Sequence, residues 1–169
     1  MKLGTLLVLA LALMMSATVQ AEPTAKAQRY LDMLRQRPQF GAVFDRFLDA
    51  WYEESTPDAL GEQLAKDAAK PEAKAGDHLL LALFETRRGN EAAAVTAFKK
   101  GLALEPGSAP MWLELARLHV RILDFTPALE SLDQSLKQKP DKTLTINIEK
   151  LRGRVLLRTG KPADALAAW

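Results

Sequence analysis

The sequence contains no cysteine, so no disulfide can form and an amino-terminal lipoprotein is excluded. Its formal net charge is only +2, and no charge-based argument for a nucleic-acid partner follows from it. No Asn-x-Ser/Thr sequon occurs, so nothing indicates a glycosylated eukaryotic product. What is present, 48% hydrophobic and 26% charged residues, is the composition of a folded soluble protein.

Signatures of catalysis are absent as well. The sequence has no Gly-rich phosphate loop, no H-E-x-x-H and no G-x-S-x-G. Its two histidines are His78 and His119. If they lie on neighbouring helices of a repeat, they are offset by about 10 Å along the axis, too far for one metal ion. We therefore expect a protein that is not an enzyme and that holds no metal or other cofactor.

The first 21 residues differ in kind from the rest of the chain. Lys2 supplies a positive start, residues 3–15 form an apolar run, and the small residues after it end in V-x-A at Ala21. This pattern predicts a secretory signal peptide, whereas an uncleaved anchor would need an apolar span of about 20 residues. We expect the mature protein to begin at Glu22, without a stable membrane span, in a bacterial periplasm or outside the cell.

A longer sequence pattern occurs twice between residues 75 and 140. Its positions in the first copy recur 34 residues later in the second: His78, Leu81, Ala82, Glu85, Ala94, Phe98 and Pro106 correspond to Trp112, Leu115, Ala116, His119, Ala128, Leu132 and Pro140. A third copy, with Gly153, Gly160, Ala165 and Trp169, follows after an insertion of three residues near 141–144, which we expect between Pro140 and the next helix. A fixed period of this length is typical of a repeat array.

Each copy is predicted to form two helices. Apolar side chains recur at three- or four-residue spacing from Asp77 to Arg88, and Gly89-Asn90 then favours a left-handed helix end. A second helix is expected from Glu91 to Leu104, before Pro106. Because one such hairpin cannot bury its apolar faces alone, it must stack on a neighbour. The predicted fold is therefore all-α, a solenoid of antiparallel helix hairpins.

The repeated pattern resembles the tetratricopeptide repeat, whose signature is W-x2-L-G-x2-Y, then A-x3-F, then P; WLELARLH at 112–119 comes close to it. The resemblance covers residues 75–169, with copies at 75–108 and 109–142 and an incomplete copy at 146–169. It implies a right-handed superhelical solenoid and a scaffold that binds proteins or peptides. It also places both histidines where the family has aromatic packing residues, so we expect them to pack rather than to bind a ligand.

Residues 22–74 precede the clear repeats and also have helical periodicity. One apolar face extends from Ala25 to Arg37, before Pro38. A stronger stripe follows, formed by Phe40, Val43, Phe44, Phe47, Leu48 and Trp51. We expect this stripe to pack in the core, with a partner-binding face as the alternative. Since TPDAL at 56–60 echoes TPAL at 126–129, residues 40–70 are interpreted as a degenerate, repeat-like hairpin.

In this family the first helix of each hairpin lines the binding groove. Superposing the copies places six cations on or near that face, here called the basic strip: Arg87, Arg117, Arg121, Lys150, Arg154 and Arg158. The family's carboxylate clamp is absent, because its Lys-Asn pair falls on Leu79 and Leu83. The strip predicts an acidic partner segment. In one alternative, these cations are ordinary solvated charges. In the other, the groove contacts its partner through Leu79, Leu83 and Leu113 instead.

Two functions follow as expectations. The first is an exported adaptor that holds a protein or peptide in a concave groove. The alternative is the leading repeat module of a larger envelope enzyme or assembly machine, and self-association is also compatible with a repeat array. Trp169 falls halfway through a second helix, at the position of Phe98 and Leu132. This register predicts that the chain is the front part of a longer protein.

Overall fold

The computed structural model describes residues 24–36 and 41–167, which form α-helices and turns without a strand in these ranges. The helices are α1 (Ala25–Gln36), α2 (Ala42–Tyr52), α3 (Pro57–Ala68), α4 (Ala75–Arg88), α5 (Glu91–Leu104), α6 (Ala109–Arg121), α7 (Phe125–Lys137), α8 (Lys142–Arg158) and α9 (Pro162–Ala167). The predicted all-α class is confirmed. The predicted signal peptide, residues 1–21, lies outside the described residues. None of the helices described has the length and hydropathy needed to cross a membrane.

The helices pack as successive hairpins. α4 pairs with α5, α6 with α7, and α8 with α9; α6 also contacts α5, and α8 contacts both α6 and α7. In the amino-terminal part, α1 packs on α2, and α3 packs on α4. Both α2 and α3 contribute side chains to one core cluster. The interpretation of residues 40–70 as a repeat-like hairpin stays a prediction.

The first helix of each hairpin ends in the same turn. Gly89, Leu123 and Gly160 occupy equivalent positions, with φ of 81°, 63° and 72°. In each case the next backbone N–H donates to a carbonyl five residues back, as in a Schellman cap: Asn90 to Glu85 at 2.9 Å, Asp124 to His119 at 2.8 Å and Lys161 to Leu156 at 2.9 Å. Two of the three turns thus use glycine, and the middle one holds a leucine in a left-handed conformation.

The insertion is expected between Pro140 and the next helix, but residues 142–144 lie within α8. α8 has 17 residues, whereas α4 has 14 and α6 has 13. Its start is set by Asp141, whose carboxylate accepts a hydrogen bond from the backbone N–H of Leu144 at 2.8 Å. The three extra residues therefore add about one turn at the amino-terminal end of α8.

The core is a chain of clusters, each shared by consecutive helices. In the first cluster Phe44, Phe47 and Trp51 pack with side chains of α1, α3 and α4, so these three members of the aromatic stripe are buried, as expected. The second cluster joins α4, α5 and α6. The third joins α6, α7 and α8. Because α4 contributes to the first and second clusters and α6 to the second and third, these two hairpins bury their apolar faces against neighbours on both sides.

Candidate functional site

The six cations of the basic strip all lie on first helices, α4, α6 and α8, and all are exposed. Four of them line one cavity of about 330 Å³ between α6 and α8: Arg117, Arg121, Arg154 and Arg158. They form two i, i+4 pairs, one on each helix, so each pair presents its guanidinium groups one turn apart. The apolar residues that line the same cavity are Val120, Leu151 and Val155. We call it the arginine cavity.

A second cavity, of about 400 Å³, adjoins the first because Arg117 and Arg121 line both. It also contains Arg87 of α4 and the half-buried Leu83. The structure therefore brings together five of the six predicted cations. The sixth, Lys150, is exposed on α8 and lines neither of these two cavities.

Internal acids occupy part of the strip. Arg87 pairs with Asp45 of α2, and Arg117 pairs with Glu114 one turn earlier on α6. An Nη of Arg121 donates to the carbonyl oxygen of Thr86 at 2.7 Å. The compensation thus falls on α4 and α6.

The α8 side of the arginine cavity is different. Arg158 lies 4.8 Å from the centre of the Phe125 ring, a cation–π contact that leaves its charge uncompensated. Arg154 has neither an ion pair nor a side-chain hydrogen bond among the residues that the structure describes. Uncompensated positive charge therefore concentrates on α8.

A partly buried carboxylate distinguishes the two cavities. Glu114 lines the second cavity, and its side chain is only 13% exposed. Burial raises the pKa of Glu114, while the charge and the hydrogen bond of Arg117 act against that rise. An anion entering the second cavity would meet this carboxylate. The arginine cavity is lined by no acidic side chain, so an acidic ligand is favoured there.

One sequence-based alternative is wrong for two of its residues. Leu79 and Leu113 are 1% and 2% exposed and belong to the second and third core clusters. They cannot contact a partner, because the helices stacked beside α4 and α6 cover the side of the helix on which they lie. Leu83 remains accessible in part, within the second cavity.

Both histidines are buried, as their repeat positions predicted: His78 is 9% exposed and His119 is 7% exposed. Burial lowers the pKa of each imidazole; Lys100 adds to this effect at His78 and Lys99 at His119, whereas Asp77 and Asp124 respectively oppose it. Among the described residues, no group of three or more His, Asp or Glu side chains is placed to hold a metal ion.

Sequence reasoning missed a larger cavity, of about 830 Å³, between α5, α6 and α7. Its lining comes partly from exposed positions of the second helices, which have no part in the apolar periodicity of the core. One signal was available in the sequence: Leu123 stands where the other two copies have Gly89 and Gly160.

Comparison with known proteins agrees with this geometry. Residues 75–118 match the family model described as tetratricopeptide repeat. No curated protein sequence matches the chain at a significant level. The crystal structure of MamA is 17% identical, with a TM-score of 0.63 over 84% of this chain and 81% of that one. Structures of MamA designated AMB-1 and MSR-1 are 18% and 19% identical, with TM-scores of 0.61 and 0.60 over 85% of this chain and 80% and 84% of theirs.

At these identities the likeness to MamA shows the fold alone. Residues 75–118 match the tetratricopeptide repeat, and the described part of the chain is an all-α solenoid of antiparallel helix hairpins.

Proposed function

We propose that this protein is an exported scaffold that binds acidic segments of other proteins in a concave groove formed by α4, α6 and α8. The observation that carries the proposal is the arginine cavity, in which Arg117, Arg121, Arg154 and Arg158 converge from two neighbouring helices. Four guanidinium groups around a space of this size match a segment with two or more carboxylates.

The chemistry of the cavity favours carboxylates over other polar groups. A guanidinium group donates two parallel hydrogen bonds to a carboxylate, which gives both orientation and strength. The apolar lining from Val120, Leu151 and Val155 offers contact to the aliphatic part of an Asp or Glu side chain, or to an apolar neighbour. Since Arg154 and Arg158 have no acidic partner among the described residues, an incoming carboxylate displaces none of these at α8.

Export is part of the proposal and rests on the first 21 residues, which have the charge, apolar run and small-residue end of a signal peptide. A periplasmic or secreted scaffold would fold without disulfides, because stacked hairpins bury the core. Intact-mass measurement of the exported protein tests this part, and a retained Met1 would contradict it.

Binding is tested with a fluorescein-labelled peptide rich in Asp and Glu and with its Asn/Gln counterpart, followed by fluorescence anisotropy. We expect the acidic peptide alone to bind, more weakly at high salt because exposed charges are screened. Replacing Arg117, Arg121, Arg154 and Arg158 by Gln should weaken binding by about tenfold or more.

The matched control removes the same charge from second helices, by replacing Lys66, Lys99, Lys100 and Lys137 with Gln; all four are exposed. This variant should keep most of the affinity. Equal losses in both variants would mean that only net charge matters, and unchanged affinity in the folded arginine variant would contradict the proposed groove.

A further inference from the structure

A second surface lies on the other side of α6 from the basic strip. On α6, Trp112, Leu115 and His119 line the cavity of about 830 Å³, and at 100° per residue they lie roughly opposite Arg117 and Arg121. α5 and α7 form its sides, and the apolar lining includes Val95, Ile122 and Pro127. We call this cavity the outer groove. It shares no lining residue with the arginine cavity.

A polar atom without a partner lies at the base of the outer groove. The Nδ1 atom of His119 is buried and has no hydrogen-bond partner among the described residues. The nearest carboxylate oxygen, of Asp124, is 3.9 Å away, which is too far for a hydrogen bond. Buried polar groups are nearly always satisfied in folded proteins. The Nδ1 atom of His78 is in the same state, so an unpartnered imidazole is common to both buried histidines among the described residues.

The turn beside the groove contains a non-glycine residue in a left-handed conformation. Leu123 lies between Ile122 and Asp124, both of which line the groove, and it adopts φ of 63° where Gly89 and Gly160 have φ of 81° and 72°. A left-handed conformation is unfavourable for a residue with a β-carbon. The Leu123 side chain is 60% exposed, so the fold gains little from it in return. Leu123 is itself not a lining residue, but its exposed side chain lies beside the groove and is available to a partner bound there.

The apolar volume, the acidic lining and the non-glycine turn distinguish the second repeat from the first. One repeat earlier, an equivalent cavity of about 430 Å³ lies between α3, α4 and α5 and contains His78. Its lining is mainly alanine with one exposed cation, Lys100, and includes no acidic side chain. The adjacent turn has Gly89. The larger apolar space, the acids and the exposed Leu123 therefore do not follow from the repeat geometry alone.

Charge indicates what the outer groove receives. Glu91, Asp124 and Glu130 line it together with a single cation, Lys99, so it is acidic where the arginine cavity is basic. We propose that the outer groove binds an amphipathic helix of a partner protein, with apolar side chains against Trp112, Ile122 and Leu123 and with Lys or Arg beside Glu91 and Glu130. A groove bounded by two helices, with apolar walls and a charged rim, suits this mode of recognition. The proposal concerns a different face and a ligand of opposite charge. The two faces meet at one ion pair, in which Arg121 lies 3.8 Å from Glu91, and Glu130→Lys tests the outer groove without changing that pair.

The experiment selects peptides of about twelve residues from a phage-displayed library on the folded protein and measures synthetic copies by anisotropy. We expect the selected sequences to carry apolar residues at helical spacing with flanking Lys or Arg. Leu123→Gly should weaken their binding about fivefold or more without lowering the thermal midpoint, because glycine suits the turn. Glu130→Lys should also weaken binding. Leu157→Ala, at a similarly exposed leucine on α8, should leave it unchanged.

Three outcomes would overturn the proposal. One is a selection that returns no sequence with an apolar helical face and flanking cations. Another is that the selected peptides bind the Leu123→Gly variant with the same affinity as the wild-type protein. A third is concentration-dependent dimerisation, measured by sedimentation, that is lost in Leu123→Gly, because it would show that a second copy of this chain occupies the groove.

Discussion

At the scale of single residues, Leu123 adopts a left-handed conformation that glycine would adopt at a lower cost in free energy. Glycine takes the left-handed position in the other two turns, so Leu123→Gly should raise the free energy of unfolding by about 0.5–1 kcal/mol. The reverse change in an equivalent turn, Gly89→Leu, should lower it by about 1 kcal/mol. Urea denaturation of the two variants measures both values. A Leu123→Gly protein that is clearly less stable than wild type would show that the leucine packs in the folded chain.

The two buried histidines predict a pH dependence. Burial lowers the pKa of His78 and of His119, so above pH about 6.5 both are neutral folded and unfolded, and stability is unaffected. Below that value the unfolded chain binds more protons, and stability falls as the pH drops toward the lowered folded pKa.

The matching experiment follows the thermal midpoint from pH 7 to pH 5 in wild type and in the His78→Phe/His119→Phe double variant. Aromatic residues fit these positions in the repeat, so the variant should fold, and its midpoint should fall less over this range. Parallel pH profiles in the two proteins would mean that other groups control the loss.

At the scale of secondary-structure elements, the guanidinium group of Arg35 joins three helices, α1, α3 and α4. Asp67 of α3 is 5% exposed and accepts hydrogen bonds from Arg35 of α1 and from Lys70, both at 2.6 Å. Arg35 also donates to Asp77 of α4 at 2.9 Å. Asp67→Ala would remove the hydrogen bonds from Arg35 and Lys70 and leave Asp77 as the partner of Arg35, so we expect a loss of about 1–2 kcal/mol, measured by urea denaturation.

The control for this change is Asp58→Ala, since Asp58 pairs with Arg88 at a similar distance but its side chain is 81% exposed. Its effect should stay under about 0.5 kcal/mol. Burial acts to raise the pKa of Asp67, but hydrogen bonds from Lys70 and Gln63 and the charge of Arg35 outweigh it and lower the pKa. The stabilisation is therefore full above pH about 4 and lost below it. Equal effects of the two alanine variants would contradict this role of Asp67.

At the scale of the whole molecule, a solenoid is held together by contacts between neighbouring repeats, and its terminal elements have fewer of them. α9 has six residues, packs on α8, and carries Leu166 with 79% of its surface exposed. We expect amides of Pro162–Ala167 to exchange hydrogen much faster than those of α5, which lies between α4 and α6. Equal protection of α9 and α5 would contradict this expectation.

The sequence alone determined the features that depend on local spacing: the hairpins of residues 75–167, the turn at Gly89, the presence of a three-residue insertion and the first helices that carry the basic strip. Tertiary structure decided how those faces meet. Leu79 and Leu113 share helices with the strip but are buried, because the angle at which hairpins stack determines which side is covered. The same stacking gathers four arginines in one cavity and opens the outer groove, since both involve residues brought together from different repeats. Helical periodicity specifies the face of each helix, and only packing between helices specifies which faces remain open.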